Sequence, residues 1–166
     1  ASTIAIADPE GPGYLRFGRP GWPTFMENLP FEIGIAITLI EGTDVSIFAT
    51  GHMVWKAIEA EAVLAEEGIS AEVINIHTIK PLDEHSILAS IAKTRCAVSA
   101  EEHQAAGGLG ESIAQTIVRN DLVPQEFVAV NDQFGESGKP VDLLDKYGLG
   151  VSDIVAKAKK AIQRKG

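Results

Sequence analysis

The stretch DVSIFATGHMVWKAIEAEAVLAEEGISAEVINI, residues 44–76, decides the fold. Val45 to Ala49 is a short run apolar enough to be buried on both faces, which predicts an interior strand. Past Thr50-Gly51 the spacing changes. Val54, Ala57, Ile58, Ala62, Leu64 and Ala65 recur at helical intervals, and Gly68 supplies the stop. Ala71 to Ile76 is a second strand-like run. Strand, helix and strand in that order form a βαβ unit, whose two strands are parallel.

The same alternation continues toward the C-terminus. Pro81 excludes helix before it, and Asp83 is the best N-cap for a helix running to about Lys93. Cys96 to Ser99 predicts a short buried strand, Gly110 to Val118 a helix, and Phe127 to Val130 another strand. Pro140 to Tyr147 and Val151 to Gln163 predict two closing helices, separated by Gly148 and Gly150. In the other direction, ITLI is joined to Val45 by Glu41-Gly42-Thr43-Asp44. This predicts a hairpin that adds one antiparallel strand at an edge. The fold class is therefore α/β: a three-layer α/β/α arrangement with a mostly parallel five-stranded sheet and one antiparallel edge strand. Ligands of such sheets meet the loops beyond the carboxyl ends of the strands. Three loops qualify: ATGHM, HTIKPLD and AEEHQAAGGLG.

The first thirty residues have a different composition. They hold five of the eight prolines and four glycines around one strand-like run, Tyr14-Leu15-Arg16-Phe17. Ser2 to Ala7 reads as the frayed end of a helix. A helix end, a strand and a Pro-rich connector suggest a piece of a larger protein, joined to the regular domain by linker composition.

Composition narrows the function classes. With 166 residues, 45% hydrophobic and 22% charged, the chain has the makeup of one globular domain. Its longest apolar runs fall far short of a membrane span, and no basic-then-apolar leader opens it. Net charge is −9 with no cationic stripe before the closing AKKAIQRKG, which argues against nucleic acid as a partner. Those last cations suit the C-terminal dipole of a helix. The lone Cys96 reads as a small buried hydrophobe in a reducing compartment, so a cytoplasmic location is expected.

The chemistry-bearing residues concentrate in AEEHQAAGGLGESI, residues 100–113. Glu101, Glu102 and His103 precede a glycine-rich turn into a helix. One reading is a phosphate or carboxylate bound at that helix N-terminus. The other is a tight strand-to-helix joint, ordered by its own hydrogen bonds, with glycine there for packing. There is no dinucleotide fingerprint, phosphate loop, zinc spacing or nucleophile elbow. His52, His77, His85 and His103 are spread over separate segments, and a hydrolase using His103 with an acid is the weakest reading. NDQFGESGKP, residues 131–140, reads as either a docking surface around Phe134 or a long connector. Arg16 and Arg19, at a strand end and in the loop beyond, have the chemistry to hold a phosphate by bidentate bonds.

In this order YLRFGRP, DVSIFATGHMVWKAIEA, INIHTIKPLD, AEEHQAAGGLGESIAQ and DQFGESGKPVDLLDKYG closely resemble the C-terminal domain of transketolase, over nearly all of residues 11–160. TIKPLD and the FGxSGKP loop resemble transketolases most, including those split into two subunits. The related 1-deoxyxylulose-5-phosphate synthases and 2-oxoacid dehydrogenase E1 β subunits share the architecture and are the alternative. A stand-alone oligomerisation or binding module is a third reading.

The resemblance implies that residues 1–19 end a pyrimidine-binding domain, that 20–33 form a linker, and that 34–166 form the C-terminal domain. It implies a cytoplasmic, dimeric transferase of the pentose phosphate pathway. Such an enzyme moves a two-carbon ketol unit from a ketose phosphate to an aldose phosphate on thiamine diphosphate with Mg2+. The family's metal-binding segment and cofactor-activating glutamate region are not in this stretch. The chain alone is thus expected to bind no cofactor, to supply no catalytic or metal-binding residue, and to be inactive. Its expected partners are the pyrophosphate- and pyrimidine-binding domains, in the same chain or a separate subunit. One role carries over: Arg19, in Arg16-Phe17-Gly18-Arg19-Pro20, matches the family arginine that binds the substrate phosphate, while Arg16 has a structural or secondary role.

Overall fold

The computed structural model describes residues 1–18, 21, 23–24 and 29–165. Along the chain run α1 (Ser2–Ala7), β1 (Ile37–Ile40), β2 (Val45–Ala49), α2 (Met53–Glu66), β3 (Ala71–Asn75) and α3 (Glu84–Thr94). These are followed by β4 (Ala97–Gln104), α4 (Leu109–Asn120), β5 (Gln125–Val130), α5 (Pro140–Lys146) and α6 (Val151–Arg164). The strands form one sheet in the order β1-β3-β2-β4-β5. β2 runs parallel to β3 and β4, β4 runs parallel to β5, and β1 is antiparallel to β3. This is the expected α/β class, with one antiparallel strand at the edge.

The period-two alternation of the strands sorts apolar side chains into two cores. Val45, Ile47, Val73, Val98 and Ala100 face the layer made by α2 and α6, where Leu64, Ile154 and Ala158 are fully buried. Phe48, Ile74 and Ala97 point the other way, onto Ile87 and Ile91 of α3 and Ile113 and Ile117 of α4. Each Val, Leu, Ile or Phe among them contributes about 1.5–3 kcal/mol on leaving water. That is why the helices sit on both faces and leave the strand ends open. Cys96 is fully buried in the first core, and burial pushes its thiol up from the ordinary range.

Local signals explain the element ends. Asp83 caps α3: its carboxylate accepts from the Ser86 backbone nitrogen at 3.0 Å and the Ser86 hydroxyl at 2.7 Å. Gly68 closes α2 at φ +79° and Gly148 separates the last two helices at φ +69°, a left-handed backbone that suits glycine.

Two local expectations are corrected. ITLI and VSIFA do not form a hairpin, because β3 lies between β1 and β2. The Glu41–Asp44 turn instead crosses the start of β3, where the backbone nitrogens of Thr43 and Asp44 both donate to the Ser70 carbonyl at 3.0 and 2.8 Å. Gly42 makes that crossing possible: a Cβ on it would come within 3.0 Å of the Ala71 and Glu72 backbone. The second correction concerns Tyr14 to Phe17, which is no strand; described residues 12–18 belong to no helix or sheet. Tyr14 and Phe17 are 86% and 81% exposed, so this run gains no packing face from pairing.

Candidate functional site

At the carboxyl ends of β2, β3 and β4 the three expected loops meet in a cleft of about 1320 Å³. Thr50 and His52 come from the first loop, His77 and Thr78 from the second, and Glu101, Glu102 and His103 from the end of β4. Three of the four histidines are thereby brought to one place. His85 is on α3, exposed to solvent and not among the residues lining the cleft. The segment carrying Arg16 and Gly18 and the helix α5 complete the walls. Arg19 lies outside the described residues.

The acidic-glycine cluster forms a strand-to-helix joint with an internal anion. Glu101 is 2% exposed, and its two carboxylate oxygens accept the backbone N–H groups of Leu109 and Gly110 at 2.7 and 2.8 Å. These are the first residues of α4, whose free N–H groups and dipole favour a negative charge. A side chain on Gly108 would strike the Glu101 carboxylate, and one on Gly110 would lie 2.5 Å from the Phe127 ring and 2.6 Å from the Ser99 hydroxyl. Gly107, at φ +74°, turns the chain between strand and helix, and its N–H donates to Glu111 at 2.8 Å. Both sequence readings of this motif thus meet in one feature. The helix N-terminus holds a carboxylate, but that carboxylate belongs to the protein.

Glu102 and His103 point elsewhere. Glu102 lies 2.9 Å from Nδ1 of His52, across the cleft from the loop after β2. His103 is half exposed, and its Nδ1 lies 2.9 Å from the Gln104 carbonyl and 4.0 Å from Glu101. His77 is more enclosed. It stacks against Phe31 with ring centroids 4.4 Å apart, and its Nδ1 is 2.9 Å from the Thr78 hydroxyl. Its Nε2 is buried without a hydrogen-bond partner among the described residues. Burial pushes the His77 imidazole below its ordinary range and outweighs an opposing pull from the Ile35 backbone. The His52–Glu102 pair was not legible from spacing, because its members end strands far apart in sequence. The available signal was the type of loop: Thr50-Gly51 ends a buried strand directly before His52.

The 131–140 loop borders the cleft as an ordered, solvent-facing segment. Phe134 is 99% exposed, while its carbonyl accepts from the Tyr147 hydroxyl at 2.9 Å. Lys146 reaches Glu136 at 2.5 Å, and the Gln104 amide donates to the Gln133 carbonyl at 3.0 Å.

The residues present do not fit a magnesium–diphosphate group. Among the described residues no three histidine, cysteine or acidic side chains are grouped to hold a metal ion. The N-terminus of α4, which lines the cleft, is taken by the Glu101 carboxylate. Nor, among those residues, is any helix long and apolar enough to cross a membrane.

Residues 34–154 match the family model for the transketolase C-terminal domain. The chain is 44% identical over 157 residues to the 6-deoxy-6-sulfo-D-fructose transketolase subunit of Clostridium sp. (strain MSTE9), a match covering 94% of this chain and 49% of that protein. It is 34% identical over 161 residues to an apulose-4-phosphate transketolase subunit of Phocaeicola vulgatus, covering 96% of this chain and 51% of that protein. Among solved structures, a split-gene transketolase in an inactive beta4 tetramer superposes with a TM-score of 0.93 at 43% identity. That match covers 96% of this chain and 53% of the other. The chain spans about half the length of the curated relatives it matches.

Proposed function

This chain belongs to the transketolase C-terminal domain family, and we propose that it is the C-terminal portion of a thiamine-diphosphate transketolase, acting in assembly and support rather than in the chemical step. The observation that carries this reading is the use of Glu101. The most acid-rich, glycine-rich loop of the cleft directs its buried carboxylate at its own helix, and so holds a joint together instead of meeting a substrate.

In this reading residues 1–19 are the end of the pyrimidine-binding domain, 20–33 the linker and 34–166 the C-terminal domain. The cofactor and Mg2+ are held by the other domains, and Arg19 grips the anionic end of the sugar. A planar guanidinium suits a phosphate, and it suits a sulfonate of similar shape too. The relatives named for a sulfo-sugar and a sugar phosphate support an anionic-ended ketose as the donor class. The working assembly is a dimer of complete units in a reducing cytoplasm.

Mixing this chain with a polypeptide that carries the pyrophosphate- and pyrimidine-binding regions, thiamine diphosphate and Mg2+ tests the reading. Ketol transfer from a ketose phosphate to an aldose phosphate is expected from the mixture and from neither chain alone. Turnover by this chain alone, or none from a mixture shown to associate, overturns it. Arg19→Ala is expected to raise the KM for the sugar phosphate about tenfold or more, as loss of a charged hydrogen bond does.

A further inference from the structure

The residues just before β1 are bound down at three points along one loop. The antiparallel register that pairs Ile37 with Asn75 places Ile35 opposite His77 when carried two residues further. There the chain turns. The Ile35 backbone N–H donates to the Glu32 carbonyl at 3.2 Å, and Gly34 sits at φ +84°, a left-handed conformation that glycine adopts without strain. The turn brings Phe31 onto the His77 ring, with centroids 4.4 Å apart. Gly34 lies so close to Pro81 that a Cβ on it would be 3.0 Å from the proline Cγ. The Ala36 backbone N–H donates to the Asp83 carboxylate at 2.8 Å. That carboxylate also caps α3, so one charge holds both the helix start and the approaching chain.

All three holds lie on HTIKPLD, residues 77–83, whose first four residues line the cleft together with Phe31 and Ile33. Phe31, Gly34 and Ala36 are each only partly buried. Contacts of this kind open without unfolding a domain. We propose that residues 31–36 form a strap that docks and lifts as one unit, and that its state sets the access of His77 to the cleft. Docked, the strap covers one face of the imidazole with the Phe31 ring. Lifted, it leaves that face open, and a displacement of the chain before Phe31 is carried to the cleft wall. The end of the stretch read as a connector is thereby a working part of that wall. The strap stands on contacts between residues 31–36 and 77–83 and is independent of the enzyme reading.

The test reads each variant at a hold it does not touch, in the full 166-residue chain. Gly34→Ala puts a side chain into the left-handed turn and against Pro81, away from the His77 ring. It is expected to speed diethylpyrocarbonate modification of His77 about fivefold or more, read by peptide mass spectrometry, with the exposed His85 unchanged. Phe31→Ala removes the hold at the other end. It is expected to speed hydrogen exchange of the Ala36 N–H by a similar factor, read by NMR. The amide of Ile91, fully buried on α3, should keep the parent's protection in both variants. Variants that loosen only the hold they alter overturn the strap, because the contacts then open independently. Loss of protection at Ile91 equal to that at Ala36 overturns it as well, because the segment then opens only with the domain.

Discussion

The carboxylate of Glu101 and the backbone N–H of Gly110 are joined by a 2.8 Å hydrogen bond between the end of one strand and the start of the next helix. With the 2.7 Å bond to Leu109, this gives α4 a cap supplied from within the sheet, since no side chain of its own N-cap residue, Gly108, can do so. Removing the carboxylate leaves two buried N–H groups and a small void. Glu101→Ala is therefore expected to lower stability by roughly 2–4 kcal/mol. Glu101→Gln, which keeps one acceptor oxygen, should cost about half as much. Urea unfolding followed by circular dichroism measures both, and equal midpoints for parent and Glu101→Ala would reject the cap.

Gly110→Ala sets two effects against each other. Alanine favours helix over glycine by about 1 kcal/mol. The added methyl, however, lies 2.5 Å from the Phe127 ring and 2.6 Å from the Ser99 hydroxyl, and overpacking of that kind costs about 1–3 kcal/mol. Phe127 belongs to β5 and cannot retreat without disturbing its ladder with β4. Packing wins: the variant should be less stable than the parent by thermal melting, whereas propensity alone predicts a rise in Tm.

Two groups give stability a pH dependence in separate windows. Burial would raise the Asp83 carboxyl, but hydrogen bonds from Ser86 and the Ala36 backbone, with His85 nearby, outweigh it and hold the pKa below the ordinary value. Its contribution is present above the unfolded value near 3.8 and is lost as pH falls through the lower folded value. Asp83→Asn keeps a capping oxygen and should flatten the stability curve below about pH 4. His77 is held low by burial, so the unfolded chain takes up its proton first. Its contribution is present above the unfolded value of 6.5 and is lost as pH falls below it toward the folded value. His77→Gln should remove that part of the slope. Urea midpoints at pH 7.5, 5.5 and 3.5 distinguish the two, and a variant curve parallel to the parent's in its own window rejects that assignment.

Local chemistry explains what could be read from the residues. Asp83 as a helix cap, Gly68 and Gly148 as helix ends and the doubly buried run Val45–Ala49 are set within a few residues of chain, and each is where the pattern places it. The meeting of the ATGHM, HTIKPLD and AEEHQAAGGLG loops also followed, because parallel strands deliver their carboxyl ends to one side. What failed depended on distant partners. A four-residue link between two strand-like runs suggests a hairpin until β3 is known to sit between them. The run Tyr14–Phe17 has strand composition but no neighbour to pair with among the described residues. Glu101 and Glu102 are adjacent in sequence and look equivalent, yet the strand's alternation sends one to α4 and the other to His52. Pairing across the cleft is a tertiary fact that spacing does not encode.

The placement of β1 also orders events in time. Among the described residues, Ile37 to Ile40 are the first in the sheet and pair with β3 alone, with all of β2 and α2 between them in sequence. Closing that longer loop before any ladder bond can form makes β1 a late arrival during folding. Synthesised early and docked late, ITLI spends the interval as an unpaired apolar edge. Until β3 exists, β1 has no ladder to join among the described strands, and in that interval it is open to pairing with the wrong chain.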